Sequence, residues 1–345
     1  MKILDCTLRD GGYYTDWDFS DNLVNNYFNL IKYLPIDIIE VGYRGNKNKK
    51  SYLGEYYYLT KSKLKTIRKK LGKKKKISIM IDIKDWKTPK ELEKNLKECR
   101  NYVDIIRFAI NPKKIKKIDG YLKTVSNLGF IVSVNLMYSH LILKDQKIFS
   151  NVIKLKRYFA IIYLVDSYGS LVPGDVTKII KILKSFDVNL KIGFHSHNNL
   201  ELALSNSIEA INNGVEYLDS TFTGMGRGAG NLKTELLLSY LGIKLNKLKI
   251  NNFKNIGNVV DMFEEIKVEE KWGTSLPYMI SGSTNSPQSE AMQLIKSRRY
   301  NMNDIVTYLY KKNRKKINII KNLNLKKKIV LIIGGGSSVK KKLII

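Results

Sequence analysis

Residues 161–197 read IIYLVDSYGSLVPGDVTKIIKILKSFDVNLKIGFHSH. Ile161 to Asp166 is a short apolar run that ends on a carboxylate, the pattern of a strand buried on both faces. A Lys-, Ile- and Leu-bearing stretch follows, and a second apolar run, Leu190 to His197, ends the segment. Strand, helix, strand over this span is one unit of a parallel α/β fold.

Outward from it the alternation repeats. Lys2 to Thr7, Ile36 to Gly42, Ile77 to Ile83, Val103 to Ile110, Phe130 to Leu136 and Tyr217 to Phe222 read as further strands, each followed by a Lys/Glu/Leu-rich stretch with helical spacing. Eight β/α units within about 240 residues match the size of a closed (β/α)8 TIM barrel. A doubly wound open sheet is the competing arrangement. The expected organisation is a catalytic barrel over 1–240, a C-terminal helical extension over 241–325 and a tail over 326–345. In the helical region Glu264, Glu265, Glu269 and Glu270 offset local lysines. In the tail, Ile329 to Ser338 reads IVLIIGGGSS, a strand pattern running into a glycine-rich turn. A nucleotide-binding βα unit needs about 30 residues, so the tail is expected to be a truncated or disordered strand, and no nucleotide site is assigned to it.

The chain of 345 residues carries 61 Lys+Arg against 31 Asp+Glu, a formal charge of +30. Such an excess is the electrostatic footprint of nucleic-acid binding. The lysines are spread along the chain, with runs at Lys61 to Lys76 and Lys311 to Lys328, alongside abundant Asn, Ile and Tyr. That joint enrichment fits the amino-acid drift of an AT-rich genome, so a solvated basic surface that could steer anionic substrates is expected rather than a nucleic-acid partner. No run approaches the roughly 18 apolar residues of a membrane span. With no basic-then-apolar leader after Met1, a cytoplasmic location is expected. Cys6 and Cys99 are the only cysteines; two thiols are no disulfide framework, and both are expected reduced.

Polar residues gather where the strands end. His195 and His197, two apart on a strand, point to one face and suit chelation, with hydrogen-bonded core histidines as the alternative. Arg9 and Asp10 end the first strand, followed by Gly11 and Gly12, which would let the backbone turn tightly. A structural ion pair is the plainer reading of Arg9–Asp10 alone, but at the C-terminal rim of a barrel Asp10 can complete a carboxylate-plus-two-histidine site. The loop Thr223 to Asn231, TGMGRGAGN, could bring backbone amides to a carboxylate or phosphate. Glu40 and Asp166 are candidates to orient the histidines or to form structural salt bridges. Arg107 and Ser167 are candidates to hold a substrate carboxylate, with barrel packing as the alternative. His140 is expected at the surface or in a cap. Tyr13, Tyr14, Trp17 and Phe19 could roof the site or fill the core, and Tyr278 could reach the site from late in the chain.

TLRDG on the first strand, HxHN on the seventh and a GxGxGxGN loop after the eighth together resemble the DRE-TIM metallolyase superfamily. This is the HMG-CoA lyase-like group, or pyruvate carboxyltransferase domain, with isopropylmalate synthase and 4-hydroxy-2-oxovalerate aldolase among its members. The resemblance covers residues 1 to 240, and the loop looks most like the aldolase branch. It implies a lyase with Asp10, His195 and His197 as metal ligands, Arg9 stabilising an enolate, and Asn231 as a further metal or substrate ligand. The aldolase branch carries a histidine base three residues after the metal aspartate, where this chain has Tyr13. The lyase branch has a catalytic cysteine in its glycine loop, and this loop has none.

The expected chemistry is aldol cleavage or formation through the enolate of a 2-oxo acid such as pyruvate, with Tyr13 or a metal-held hydroxide as base. The donor set suits Mn²⁺ first, with Mg²⁺, Co²⁺ or Zn²⁺ as alternatives. The competing readings are a Claisen-type acyl-CoA condensing synthase and a basic nucleic-acid-binding protein with an inactive barrel. A homodimer or an association with a partner enzyme is compatible with either enzyme reading.

Overall fold

The computed structural model describes residues 1–46, 51–247, 249 and 253–322. Eight parallel strands close into a barrel in sequence order: β1 (Lys2–Asp5), β2 (Ile38–Tyr43), β3 (Lys76–Ile81), β4 (Ile105–Ile110), β5 (Ile131–Leu136), β6 (Ile161–Asp166), β7 (Lys191–Ser196) and β8 (Tyr217–Ser220). Closure is made by β8 against β1, with Tyr217 beside Lys2 and Ser220 beside Asp5. The open-sheet alternative is thereby excluded. Each strand lies within two residues of the span its apolar run implies, because strands covered by helices outside and side chains inside stay apolar throughout.

Between strands the helices present one apolar face to the sheet. Pro173–Phe186, for example, buries Val176, Ile179, Ile180 and Leu183 at helical spacing. Inside the barrel, alternate residues point to the axis. At the N-terminal end Leu4, Cys6, Ile38, Ile105, Ile161, Tyr163 and Tyr217 form a cluster of their own, with Ile131 against it. Burial pushes the Cys6 thiol up, so it sits there as a small apolar group. Gly193 leaves room for the neighbouring ring, since a Cβ there would come within 2.5 Å of Tyr163.

One element departs from expectation. Residues after Asp5 do not continue the strand; Thr7–Thr15 is a helix that contains Arg9, Asp10, Gly11, Gly12 and Tyr13. The glycines serve close packing rather than a turn. A Cβ on Gly11 would meet Met225 at 2.5 Å, and one on Gly12 would meet Trp17 at 2.2 Å. Each interior helical glycine costs about 1 kcal/mol in propensity, so this helix owes its existence to the contacts the glycines permit.

The C-terminal helices Phe253–Glu270, Leu276–Ser283, Gln288–Ser297 and Met302–Asn322 follow the barrel. They are tied to the glycine loop and to the segment that follows β7. The Trp272 Nε1–H donates to the Thr223 carbonyl (3.1 Å), and Asn199 Nδ2 donates to the Tyr278 carbonyl (3.1 Å). No helix among the described residues is long and apolar enough to cross a membrane. The expected tail over 326–345 lies outside the described residues.

Candidate metal centre

β7 delivers His195 on its inner face, and His197 follows it two residues on, at a bridge pairing with Asn231. The two rings stand 5.1 Å apart. Asp10 comes from the Thr7–Thr15 helix, and the ligand atoms of Asp10, His195 and His197 all lie within 4.8 Å of one another, all three residues buried. The structure therefore brings together the carboxylate and two imidazoles that the sequence pairs. Asn231 stands with them: its amide donates to Asp10 Oδ2, and its Oδ1 is buried without a partner.

Each histidine is held by its other nitrogen. His195 Nδ1 bonds Asp219 Oδ2 at 2.9 Å, and His197 Nδ1 bonds the Asp166 carbonyl at 2.9 Å. That arrangement turns both Nε2 atoms toward one point, which metal-ligating histidines require. Burial, and after it His195, pushes His197 down to about 3, so its ring is neutral and its lone pair free. Burial alone would raise Asp10, but Arg9 and the two imidazoles hold its carboxylate below the usual range.

Beneath lies an ionic layer. Arg9 pairs with Asp10 and, at 2.7 Å, with Glu40; Arg107 donates to Glu40 (3.0 Å), Asp219 (2.6 Å) and Asn135 (3.1 Å), and its guanidinium lies 4.1 Å over the Tyr163 ring. Two guanidinium groups thus face three carboxylates: Asp10, Glu40 and Asp219. Among these groups the carboxylates outnumber the guanidinium groups by one, and a cation placed there would balance them. Ligand chemistry, the pinned Nδ1 atoms, the orphaned Asn231 oxygen and the charge excess all fit a divalent metal.

The other sequence candidates fall in distinct places. Glu40 bonds the two arginines and not the histidines. Asp166 reaches His197 through its backbone carbonyl, while its carboxylate caps the Ser170 and Leu171 N–H groups. Arg107 is fully buried with its donors engaged within the barrel, so it stands under the site and not at a substrate's carboxylate. Ser167 is fully buried too, and its Oγ accepts the Tyr138 N–H at 2.8 Å. His140 is half-buried beside Tyr168, at 5.2 Å between rings. Tyr14 joins the Gly228 carbonyl (2.8 Å) to the Tyr278 hydroxyl (3.3 Å), which places Tyr278 at the glycine loop. Most of that loop's N–H groups are taken within the fold, as at Gly224, Met225, Gly230 and Asn231.

Asp219 was absent from the sequence candidates. Its only signal is parity with Tyr217, which makes both inward-facing on β8. Burial would raise its carboxyl, yet Arg107 and His195 hold it below the ordinary value.

Around the ligand atoms is a space of about 40 Å³, lined by Tyr13, Met80, Asn135 and Val165 among others. It has room for an ion or a water and not for a substrate. Tyr13, Tyr43 and Arg227 also line a larger cavity of about 740 Å³ that Trp17, Tyr57 and Met292 help to wall. That volume is ordinary for a small-molecule site.

Comparison with known proteins points to one family. A 4-hydroxy-2-oxovalerate aldolase of Carboxydothermus hydrogenoformans is 28% identical over 319 residues, which span 90% of this chain and 91% of that protein. An oxaloacetate decarboxylase of Mycobacterium tuberculosis is 26% identical over 246 residues, 69% of each chain. The crystal structure of the N-terminal domain of a provisionally named aldolase from Bacteroides vulgatus matches at a TM-score of 0.81 and 41% identity, covering 89% of this chain and 100% of that one. The HMGL-like family model spans residues 1–262. On that match, and with its barrel, the chain belongs to the HMGL-like family.

Proposed function

We propose that this chain is a divalent-metal-dependent carbon–carbon lyase, an aldolase that cleaves or forms 4-hydroxy-2-oxo acids through the enolate of a 2-oxo acid such as pyruvate. The observation that carries it is the buried Asp10, His195 and His197 set, with both Nδ1 atoms pinned and Arg9 alongside. Asn231 would add an oxygen donor. Mn²⁺ is the metal of first choice, with Mg²⁺, Co²⁺ or Zn²⁺ as alternatives. When bound, the metal supplies Lewis acidity toward the keto and carboxylate oxygens of a 2-oxo acid.

This chain's own residues do the rest. Arg9, fixed by Asp10 and Glu40, offers a positive charge to the oxygen on which charge collects as the bond between C3 and C4 breaks. Tyr13 stands three residues from Asp10 on the same helical face and lines the same small cavity. As a phenolate it would accept the 4-hydroxyl proton, becoming the phenol as the aldehyde departs. The aromatic wall around it keeps water from the carbanionic carbon. Arg107 and Ser167, proposed from sequence as carboxylate binders, act in this reading by supporting the site from within the fold.

A second reading, decarboxylation of a 2-oxo diacid, rests on the likeness to the oxaloacetate decarboxylase and uses the same enolate-forming end. The test is to load the purified protein with Mn²⁺ and follow two signals. These are exchange of pyruvate methyl protons in D₂O by NMR, and pyruvate release from 4-hydroxy-2-oxo acids and from oxaloacetate. Exchange and release from the hydroxy acids are expected, both lost in His195→Ala. Metal-loaded protein that shows neither would overturn the reading, and release from oxaloacetate alone would favour the decarboxylase.

A further inference from the structure

We propose that Arg227 receives an anionic group, a carboxylate or a phosphate, on the part of the substrate that lies beyond the bond being cleaved, so that the released aldehyde is itself anionic. The inference rests on the lyase reading and names the class of its second product.

Arg227 sits in the middle of the glycine loop, and its side chain lines both the small cavity at the metal ligands and the 740 Å³ cavity outside it. Its guanidinium lies 5.4 Å over the Tyr13 ring, next to the proposed proton acceptor. Unlike Arg9 and Arg107, whose carboxylate partners are within the fold, Arg227 has no ion pair among the described residues. Its Nε is buried without any hydrogen-bond partner. Arg227 is partly buried, and a buried Nε–H left without an acceptor costs free energy that a purely structural residue would avoid. A ligand carboxylate or phosphate supplies the missing partner in the fork geometry that arginine prefers.

The surroundings fit. Lys296, held by a 3.3 Å bond to the Tyr13 carbonyl, adds a second cation to the outer cavity. Of the two acids lining it, Asp82 is engaged by Lys84 and Asp16 is exposed. Tyr43 and Tyr57, stacked at 4.9 Å, offer an apolar wall for the carbon chain between the anion and the reacting carbon. Gln288 accepts from the Ala229 N–H (3.4 Å) and fills the space beside Gly228, so a C-terminal helix fixes the loop that carries Arg227. The 2-oxo acid end is already provided for by the metal ligands and Arg9. What Arg227 meets at the junction of the two cavities is the part that projects outward.

The experiment compares wild type with Arg227→Gln and Arg227→Lys. Pyruvate addition is measured with succinate semialdehyde, glyceraldehyde 3-phosphate and neutral propionaldehyde, and pyruvate proton exchange is measured separately. Wild type is expected to favour one of the anionic aldehydes, which identifies carboxylate or phosphate. Arg227→Gln should lose about 10- to 100-fold in kcat/KM on that aldehyde through a raised aldehyde KM, with a much smaller loss on propionaldehyde and in the pyruvate KM of exchange. Arg227→Lys should recover part of the loss. Equal losses on charged and neutral aldehydes, or a raised pyruvate KM instead, would overturn the proposal while leaving the lyase reading intact. If exchange itself fails, calorimetric titration with succinate and inorganic phosphate decides: binding that Arg227→Gln abolishes supports the anion site, and absence of binding in wild type removes it.

Discussion

The interior of the barrel is apolar at one end and ionic at the other, although the same eight strands build both by the same alternation. Near the strand starts, Ile38, Ile105, Ile161 and Tyr217 close the axis with hydrocarbon and rings. Two residues further along β2, β4 and β8 stand Glu40, Arg107 and Asp219, which with His195 of β7 form a linked set of charges and an imidazole. Hydrophobic burial carries stability and tolerates small shifts. A buried charge set is stable only when every member is partnered, so it fixes positions at a cost. The division assigns folding to one end and chemistry to the other, and single substitutions should separate the two.

The largest separation is expected at Asp10. Asp10→Asn keeps shape but removes the anionic ligand and a partner of Arg9, so kcat should fall by about 10³-fold or more, with metal content near zero by elemental analysis. Retention of full metal content would break the assignment of the ionic end. Asp219→Asn should do less. It frees His195 Nδ1 and leaves Arg107 short of one carboxylate, so metal affinity should weaken about 10- to 100-fold. Titration of metal-free protein with Mn²⁺ checks this, and unchanged affinity would make Asp219 a packing residue only.

Much of this contrast is readable in the sequence, and the unreadable part has definite causes. Parallel strands covered on both faces leave long apolar runs, which is why all eight could be placed. Alternation also put His195 and His197 on one face, and the rim position added Asp10. Depth along the axis is not encoded locally. Arg107 is visibly a strand residue, but only the register with Ser133 and Met80 shows that it lies below the rim. The Thr7–Thr15 helix was illegible because its two glycines argue against helix, and the contacts with Met225 and Trp17 that outweigh them come from elsewhere in the chain and from beyond the helix end. Asp219 is illegible because a lone acid on a strand carries no signal until its partners are known. Arg227, set among the loop's glycines, is illegible for the same reason.

At the apolar end the expectation reverses. Ile161, 3% exposed, packs in the N-terminal cluster, and Ile161→Ala should cost about 2–4 kcal/mol of stability with kcat and metal affinity unchanged in the folded fraction. Urea unfolding set beside steady-state kinetics reads both. A large loss of kcat at constant stability would show that the two ends are mechanically coupled, most directly through Tyr163, which lies in the apolar cluster and under the Arg107 guanidinium.

The smallest effect is on the acid side of the stability curve, and it comes from two groups at the ionic end that act in opposite directions. His197 titrates at about 3 in the folded chain, because of burial first and His195 second, against about 6.5 when unfolded. Between those values the unfolded chain binds a proton that the folded chain refuses. Stability from this group is therefore complete above about pH 6.5 and is lost as the pH falls toward 3. Burial raises Asp166 to about 7 from an ordinary value of 3.8. Here the folded chain binds the proton that the unfolded chain releases, so stability is gained as the pH falls from 7 to about 4. In metal-free protein the two changes offset one another between roughly pH 6.5 and 4. Asp166→Asn removes the gain, and its unfolding free energy should decline steadily through that window. His197→Asn removes the loss, and its stability should rise as acid is added. Urea titrations at several pH values compare the three proteins. Curves that stay parallel from pH 7 to 4 would mean that neither group changes its proton affinity on folding, and that the ionic end is less closed to water than its burial indicates.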